Sequence, residues 1–167
     1  MRPTAIAGTR GGAAGPSLIP SGAVVDSALA LEGDSIFLYE SAPGDRPRHV
    51  RVVGSGAHAF WSLGPKATGS RREVARGIAA RAAYRLGLAE WKLLIAFRLL
   101  GLARSALELG SRYAKERIQF GVPIGSFQAI AHPLADCATR VDGAEILCWE
   151  AAWARDGHPD RFEALAS

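Results

Sequence analysis

The spacing of apolar residues changes its period once along this chain. From Leu18 to about Val53 they come in short runs of β type: Ser17-Leu18-Ile19-Pro20, then Ala23 to Leu31, then Ser35-Ile36-Phe37-Leu38-Tyr39, then Val50-Arg51-Val52-Val53. Gly22, Glu32-Gly33-Asp34 and Pro43-Gly44-Asp45 punctuate these runs, and glycine, aspartate and proline favour turns for reasons of backbone geometry. An antiparallel β segment is therefore expected, followed by a connection over 54–69 that contains Gly, Ser and Pro.

Beyond that connection the period is helical. Arg71 to Leu86 is alanine-rich with charges on one side. Ala89 to Arg117 is apolar nearly all round, at Leu93, Leu94, Ile95, Phe97, Leu99, Leu100, Leu102, Leu107 and Leu109. A helix with so little polar face has to be enclosed by other helices. The segment Phe120-Gly121-Val122-Pro123-Ile124-Gly125 breaks it, and Ser126 is the predicted N-cap of a helix from Phe127 to about Asp156. Pro133 falls inside that helix and removes one backbone hydrogen bond. Gly157, His158 and Pro159 end it, and Asp160 with Glu163 predicts the start of a third helix in the manner of a capping box.

The fold class that follows is α+β: a short antiparallel β segment, then long antiparallel helices of an incomplete four-helix bundle. Its expected parts are a disordered lead-in over 1–17, a partial β-domain with its connection over 18–69, and a partial helical bundle over 70–167. Two helices and one turn of a third cannot cover so apolar a helix, so the bundle is expected to need further residues or a partner chain.

Composition narrows the chemistry. The chain has 167 residues, 49% hydrophobic and 22% charged, a mixture that folds. The net charge of +4 comes almost wholly from arginine, since Lys66, Lys92 and Lys115 are the only lysines. The arginines are scattered from Arg2 to Arg161 rather than clustered among aromatics, so no nucleic-acid partner is expected. The richest apolar stretch, Leu93 to Leu102, is broken by Arg98, and residues 1–16 lack the apolar region of a secretory signal. No membrane span and a cytoplasmic location are the resulting expectations. Cys137 and Cys148 stand about 16 Å apart along one helix, too far for a disulfide, and are expected as buried thiols. His49, His58, His132 and His158 lack the Cys or carboxylate spacing of a metal site, and Gly54-Ser55-Gly56 is only a piece of a dinucleotide fingerprint.

One segment carries a specific resemblance. Tyr113-Ala114-Lys115-Glu116-Arg117-Ile118-Gln119-Phe120-Gly121-Val122-Pro123-Ile124-Gly125-Ser126-Phe127-Gln128-Ala129-Ile130 resembles the signature joining the first two long helices of the acyl-CoA dehydrogenase C-terminal domain. Leu100 to Leu107 is similar to that family's first helix, Leu134-Ala135-Asp136 to its second, and Ser17-Leu18-Ile19-Pro20 through Val25-Asp26 to a strand pair of its middle β-domain. The resemblance covers residues 17–167 and is specific in the central motif. It implies an N-terminal helical domain, a middle β-domain and a C-terminal four-helix bundle that packs as a tetramer. It also implies FAD, and oxidation of an acyl-CoA thioester to the enoyl-CoA by α-proton abstraction and β-hydride transfer to the flavin. The N-terminal domain, the front of the β-domain and the last two bundle helices have no counterpart in these residues, so a fragment inactive alone is expected. The alternative is a non-catalytic helical subunit that pairs with a complete dehydrogenase chain, identical or homologous subunits being the partners in either case.

The resemblance and the residues agree on a cofactor role. Arg117 lies at a helix C-terminus, where the dipole favours a cation, and its planar fork can grip a diphosphate. The family's matching arginine contacts FAD, typically the FAD held by a neighbouring subunit, and so does the glutamine matching Gln128. Gln119, Phe120 and Phe127 flank them and would add polar and apolar contacts. The structural alternative is that Arg117 caps carbonyls, the two phenylalanines fill the core and Gln128 is merely solvated. Where the family has an Asp and an Arg contacting CoA, this chain has Ala89 and Lys92. Lys92 keeps a charge that suits a phosphate, or else is the exposed end of a helix. The position of a first-helix catalytic carboxylate holds Trp91, and Glu90 is turned about 100° away, so no base is assigned. Trp149 and Trp153, four apart, are expected to pack one helix face.

Overall fold

The computed structural model describes residues 4–7, 15–42, 44, 47–52, 56–65, 67 and 69–166. Six strands come first: β1 Thr4–Ile6, β2 Gly15–Ile19, β3 Ser27–Glu32, β4 Ser35–Glu40, β5 Ala59–Leu63 and β6 Ser70–Arg76. Helix α1 then runs Ile78–Glu116, the two-residue strands β7 Ile118–Gln119 and β8 Val122–Pro123 follow, and a 3-10 turn at Ile124–Ser126 leads into α2, Gln128–Gly157, and α3, Pro159–Leu165. The chain divides into two compact units, 1–88 and 89–167, and the division falls within α1 rather than at the 69/70 change of period.

In the first unit a four-stranded sheet has the order β1-β3-β4-β6, with β1 parallel to β3 and the other pairs antiparallel, while β2 and β5 form a separate antiparallel ladder. Gly33 at φ 62 makes the tight β3–β4 turn, with Glu32 opposite Ser35. Buried Ile19, Ala28, Ala30, Tyr39, Ala59 and Trp61 form the core. Trp61 donates its indole N–H to the Gly22 carbonyl at 2.9 Å. The Tyr39 ring is 2% exposed, so its hydroxyl needs partners. It donates to Glu32, and it accepts the Gly64 N–H at 2.8 Å and the Arg71 Nε–H at 3.1 Å. Arg71 completes the network by pairing with Glu32 at 2.8 Å and lying 3.5 Å over the Phe37 ring. A smaller cluster of Ile36, Ala80 and Tyr84 fastens the first turns of α1 to the sheet, and the Tyr84 hydroxyl donates to the Ala7 carbonyl.

Several expectations are corrected here. Thr4–Ile6 and Gly15–Ile19 are paired strands and not part of a disordered lead-in, because β3 and β5 offer them open edges; residues 1–3 and 8–14 lie outside the described residues. Arg71–Arg76 is strand where the alanine-rich pattern predicted helix. Its pairing with β4 and the reach of Arg71 and Arg76 to Glu32 and Glu73 outweigh local propensity. Gly77, at φ 92, makes the bend from β6 into α1. Residues 50–52 form no strand, and only a single bridge joins His49 to Ala59. The strand appears instead at Ala59–Leu63, inside the expected connection, with alternate residues buried.

In the second unit, the fully buried Phe162 of α3 packs with Ala89 and Ala154 and is flanked by Leu93 and Leu165. Pro159 occupies the first position of α3, so Asp160 sits inside the first turn and does not cap it. Phe127, and not Ser126, is the N-cap residue of α2, because Ser126 is used in closing the 3-10 turn. Pro133 lies inside α2 as the sequence suggested. Cys148 is buried but Cys137 is exposed, against the expectation of two buried thiols. Leu94, Leu99, Leu102 and Leu109 on α1 and Ile146, Leu147, Trp149 and Trp153 on α2 are exposed; Trp149 meets Phe97 edge-on at 5.1 Å, while Trp153 stands against His158 at 4.9 Å. Among the described residues no helix is long and apolar enough to cross a membrane.

Replacing Tyr39 by Phe leaves the Gly64 N–H and the Arg71 guanidinium without their shared acceptor. Urea unfolding is expected to show a loss of about 1 kcal/mol, the net worth of a hydrogen bond between partly buried groups. An unchanged midpoint would mean that water replaces the phenol without penalty.

Candidate cofactor site

The crossover from α1 to α2 holds the five residues singled out as cofactor contacts. At its start the Arg117 N–H still donates to the Tyr113 carbonyl, at 2.9 Å, so Arg117 leaves α1 as the continuation of its last turn. Its own carbonyl then accepts the Ile124 N–H at 2.8 Å, tying the start of the crossover to its end. Between these points β7 and β8 pair with Ile118 opposite Pro123 and Gln119 opposite Val122.

The two residues joining these strands, Phe120 and Gly121, have φ of 52 and 82. Positive φ at both central positions is the geometry of a tight hairpin turn whose twist matches its strands. Glycine adopts it freely, but a bulky aromatic does so at a cost of about 1–3 kcal/mol. The Phe120 ring is also 93% exposed, so burial does not compensate that strain. It meets Phe127 in a T-shaped pair, with centroids 6.0 Å apart and planes at 87°. Phe127 is itself at the margin of exposure, so neither ring fills the core as the structural alternative supposed.

Gln119 is exposed and its side-chain N–H donates to the Ile118 carbonyl at 2.7 Å. Gln128 is exposed at the first position of α2. The segment 117–128 contains one cation and no acid. The structure thus gathers Arg117, Gln119, Phe120, Phe127 and Gln128 on one short exposed crossover. Below the hairpin lies an open cleft of about 430 Å³, bordered by Ser111, Lys115, Pro123, Ser126 and Leu134. The sequence did not single out this cleft, and the small residues at 111, 114 and 125 are the signal that could have marked it.

Lys92 is exposed on α1, but 24 residues of unbroken helix separate it from the end of α1 at Glu116, about 36 Å of rise. It does not share a site with the hairpin within this chain. Ala89 beside it is 6% exposed and pressed against Ala154 and Phe162, so this position has no room for a polar contact. Glu90 forms an ion pair with Arg155: its Oε1 accepts the Nε–H at 2.8 Å and stands 2.7 Å from Nη2. Asp156 and then Glu90 hold the Arg155 guanidinium above its ordinary pKa. Glu90 lies inside α1, well past its first turn, and its carboxylate is engaged by this ion pair.

Comparison with known proteins gives this geometry a context. Residues 72–167 match the family described as acyl-CoA dehydrogenase, C-terminal domain. Over 65 residues, 39% of this chain, the sequence is 48% identical to a probable acyl-CoA dehydrogenase, YngJ, of Bacillus subtilis. Over 132 residues, 79% of this chain, it is 30% identical to the acyl-CoA dehydrogenase IpdE2 of Mycolicibacterium smegmatis. In fold it resembles a glutaryl-CoA dehydrogenase from Mycobacterium smegmatis solved in complex with FADH2, with a TM-score of 0.61 over 94% of this chain at 23% identity. The matched part of this chain spans 17% and 38% of the two relatives and 43% of the solved chain.

Two expected outcomes follow from the geometry. Phe120→Gly relieves a strained φ and is expected to raise stability by about 1 kcal/mol in thermal unfolding, and a loss would show that the ring is held by packing. Glu90→Gln breaks an exposed ion pair and is expected to leave the thermal unfolding midpoint nearly unchanged, with any difference vanishing in high salt.

Proposed function

We propose a function from the family to which this chain belongs, the acyl-CoA dehydrogenases: it supplies the helix-crossover part of a flavin site in an assembly that oxidises an acyl-CoA thioester to the enoyl-CoA. The observation that carries this reading is the crossover 117–128, exposed, without an acid, and presenting a strained aromatic. FAD, when bound, would supply the hydride-accepting chemistry of that oxidation. The residues present suit such a group. Among the described residues no carboxylate pairs with Arg117, whose fork is therefore available to a diphosphate. The exposed side chains of Gln119 and Gln128 offer hydrogen bonds, and Phe120 and Phe127 offer an edge-to-face aromatic surface that excludes water from a flat ring.

Lys92 is the proposed contact to a phosphate of the acyl-CoA, at a place separate from the crossover. No residue of this chain is assigned as the base that removes the α-proton. The exposed apolar residues of α1 and α2 favour identical or homologous dehydrogenase subunits as partners, because an apolar helix surface of this kind is stable when other helices cover it.

The test is to purify the chain with FAD, alone and together with a full-length homologous subunit, and to record visible absorbance across size-exclusion chromatography. A yellow oligomer is expected. Arg117→Ala is expected to lower its flavin retention by about tenfold or more, the scale of one charge-assisted hydrogen bond. A colourless product in every combination, or flavin retention indifferent to Arg117, would overturn the reading.

A further inference from the structure

Gly125 ends the crossover without any conformational need for glycine, since it is not among the residues with positive φ. What it requires is space. A Cβ at this position would stand 3.1 Å from the Ala114 carbonyl oxygen, 3.4 Å from the carbonyl carbon and 3.5 Å from the Ala114 Cβ. The nearest atoms are backbone, which cannot swing aside as the tip of a long side chain can. Ala114 is itself 3% exposed in the last turn of α1. One turn earlier Gly110 faces Leu134 of α2 with ordinary spacing, so the two helices approach closely over the same stretch.

The position of this contact gives it a consequence. Arg117 leaves α1 three residues after Ala114, and its carbonyl bonds the N–H of Ile124, the residue just before Gly125. The hairpin is therefore anchored at its base by two adjoining contacts, one hydrogen bond and one glycine-dependent close approach. We propose that Gly125 is a positioning residue of the cofactor site: its contact with Ala114 clasps the end of the crossover to the end of α1 and sets the direction in which Arg117, Phe120 and Gln128 face the cofactor. Gly125 itself touches no ligand. The assignment rests on the reading of the crossover as a flavin-contacting surface.

The test compares Gly125→Ala with a control, Gly143→Ala, which lies inside α2 with nothing within 4 Å of an added Cβ. Amide NMR spectra of the flavin-free chain are followed at Gly121 and Gln128, and FAD is then titrated into the chain assembled with its homologous full-length subunit. Gly125→Ala is expected to displace both amides and to weaken FAD binding by about tenfold, while Gly143→Ala leaves the amides in place and the affinity within about twofold. Should Gly125→Ala fail to fold, Ala114→Gly, which loosens the same contact without adding an atom, is expected to move the same amides. FAD uptake by the wild-type assembly with unmoved amides in these variants overturns the clasp alone, as do moved amides with unchanged affinity. A wild-type assembly that takes up no FAD overturns the cofactor reading and this assignment with it.

Discussion

An exposed apolar helix of 39 residues is the constraint from which the rest of this structure follows. Helical propensity alone does not hold such an element in water, so every part of α1 has to find apolar contacts or leave its surface for another chain. Its first turns use Ile36 and the sheet through Ala80 and Tyr84. Its next turns use Phe162 and Ala154 through Ala89 and Leu93. From Leu94 to Leu109 the large side chains on one side stay in contact with solvent. That unfilled stretch links the fold to the proposed function, because the proposed partners would cover it.

The end of α1 shows the opposite economy. Small residues at Gly110, Ala114 and Gly125 bring α2 in closely, and the crossover between the helices is short enough to be fixed by backbone contacts alone. A hairpin built this way has little freedom to adjust. Its tip nevertheless holds an aromatic side chain in a strained and solvated position, which is where a structure selected only for stability would place Asn or Gly. Strain at an exposed residue is a reason to look for a ligand, and the arginine and two glutamines in the same crossover would suit an anionic, hydrogen-bonding one.

The residues 113–130 were the most legible part of the sequence, since a run of specific types at fixed spacing pointed to one crossover between two helices. The helices themselves were legible from their period, apart from the strand at Ser70–Arg76. There the local pattern of arginine and alanine suits a helix, and only pairing with β4, distant in sequence, makes it a strand. Ala59–Leu63 was missed for a related reason: its alternation is clear once seen, but glycines on either side and Pro65 after it made the whole stretch read as a connection. The segment 120–125 was legible as a break between helices, whereas nothing in the sequence showed that it forms a hairpin with positive φ at both Phe120 and Gly121. The close contact of Gly125 with Ala114 was likewise invisible, because it depends on how two helices meet.

The most direct measurement of the central claim is hydrogen exchange of the backbone amides in the chain assembled with a homologous subunit, with and without FAD. Protection that appears on adding FAD and is concentrated at residues 117–128 is the result this account predicts. Protection confined to other segments, with the crossover exchanging as freely as before, would contradict it.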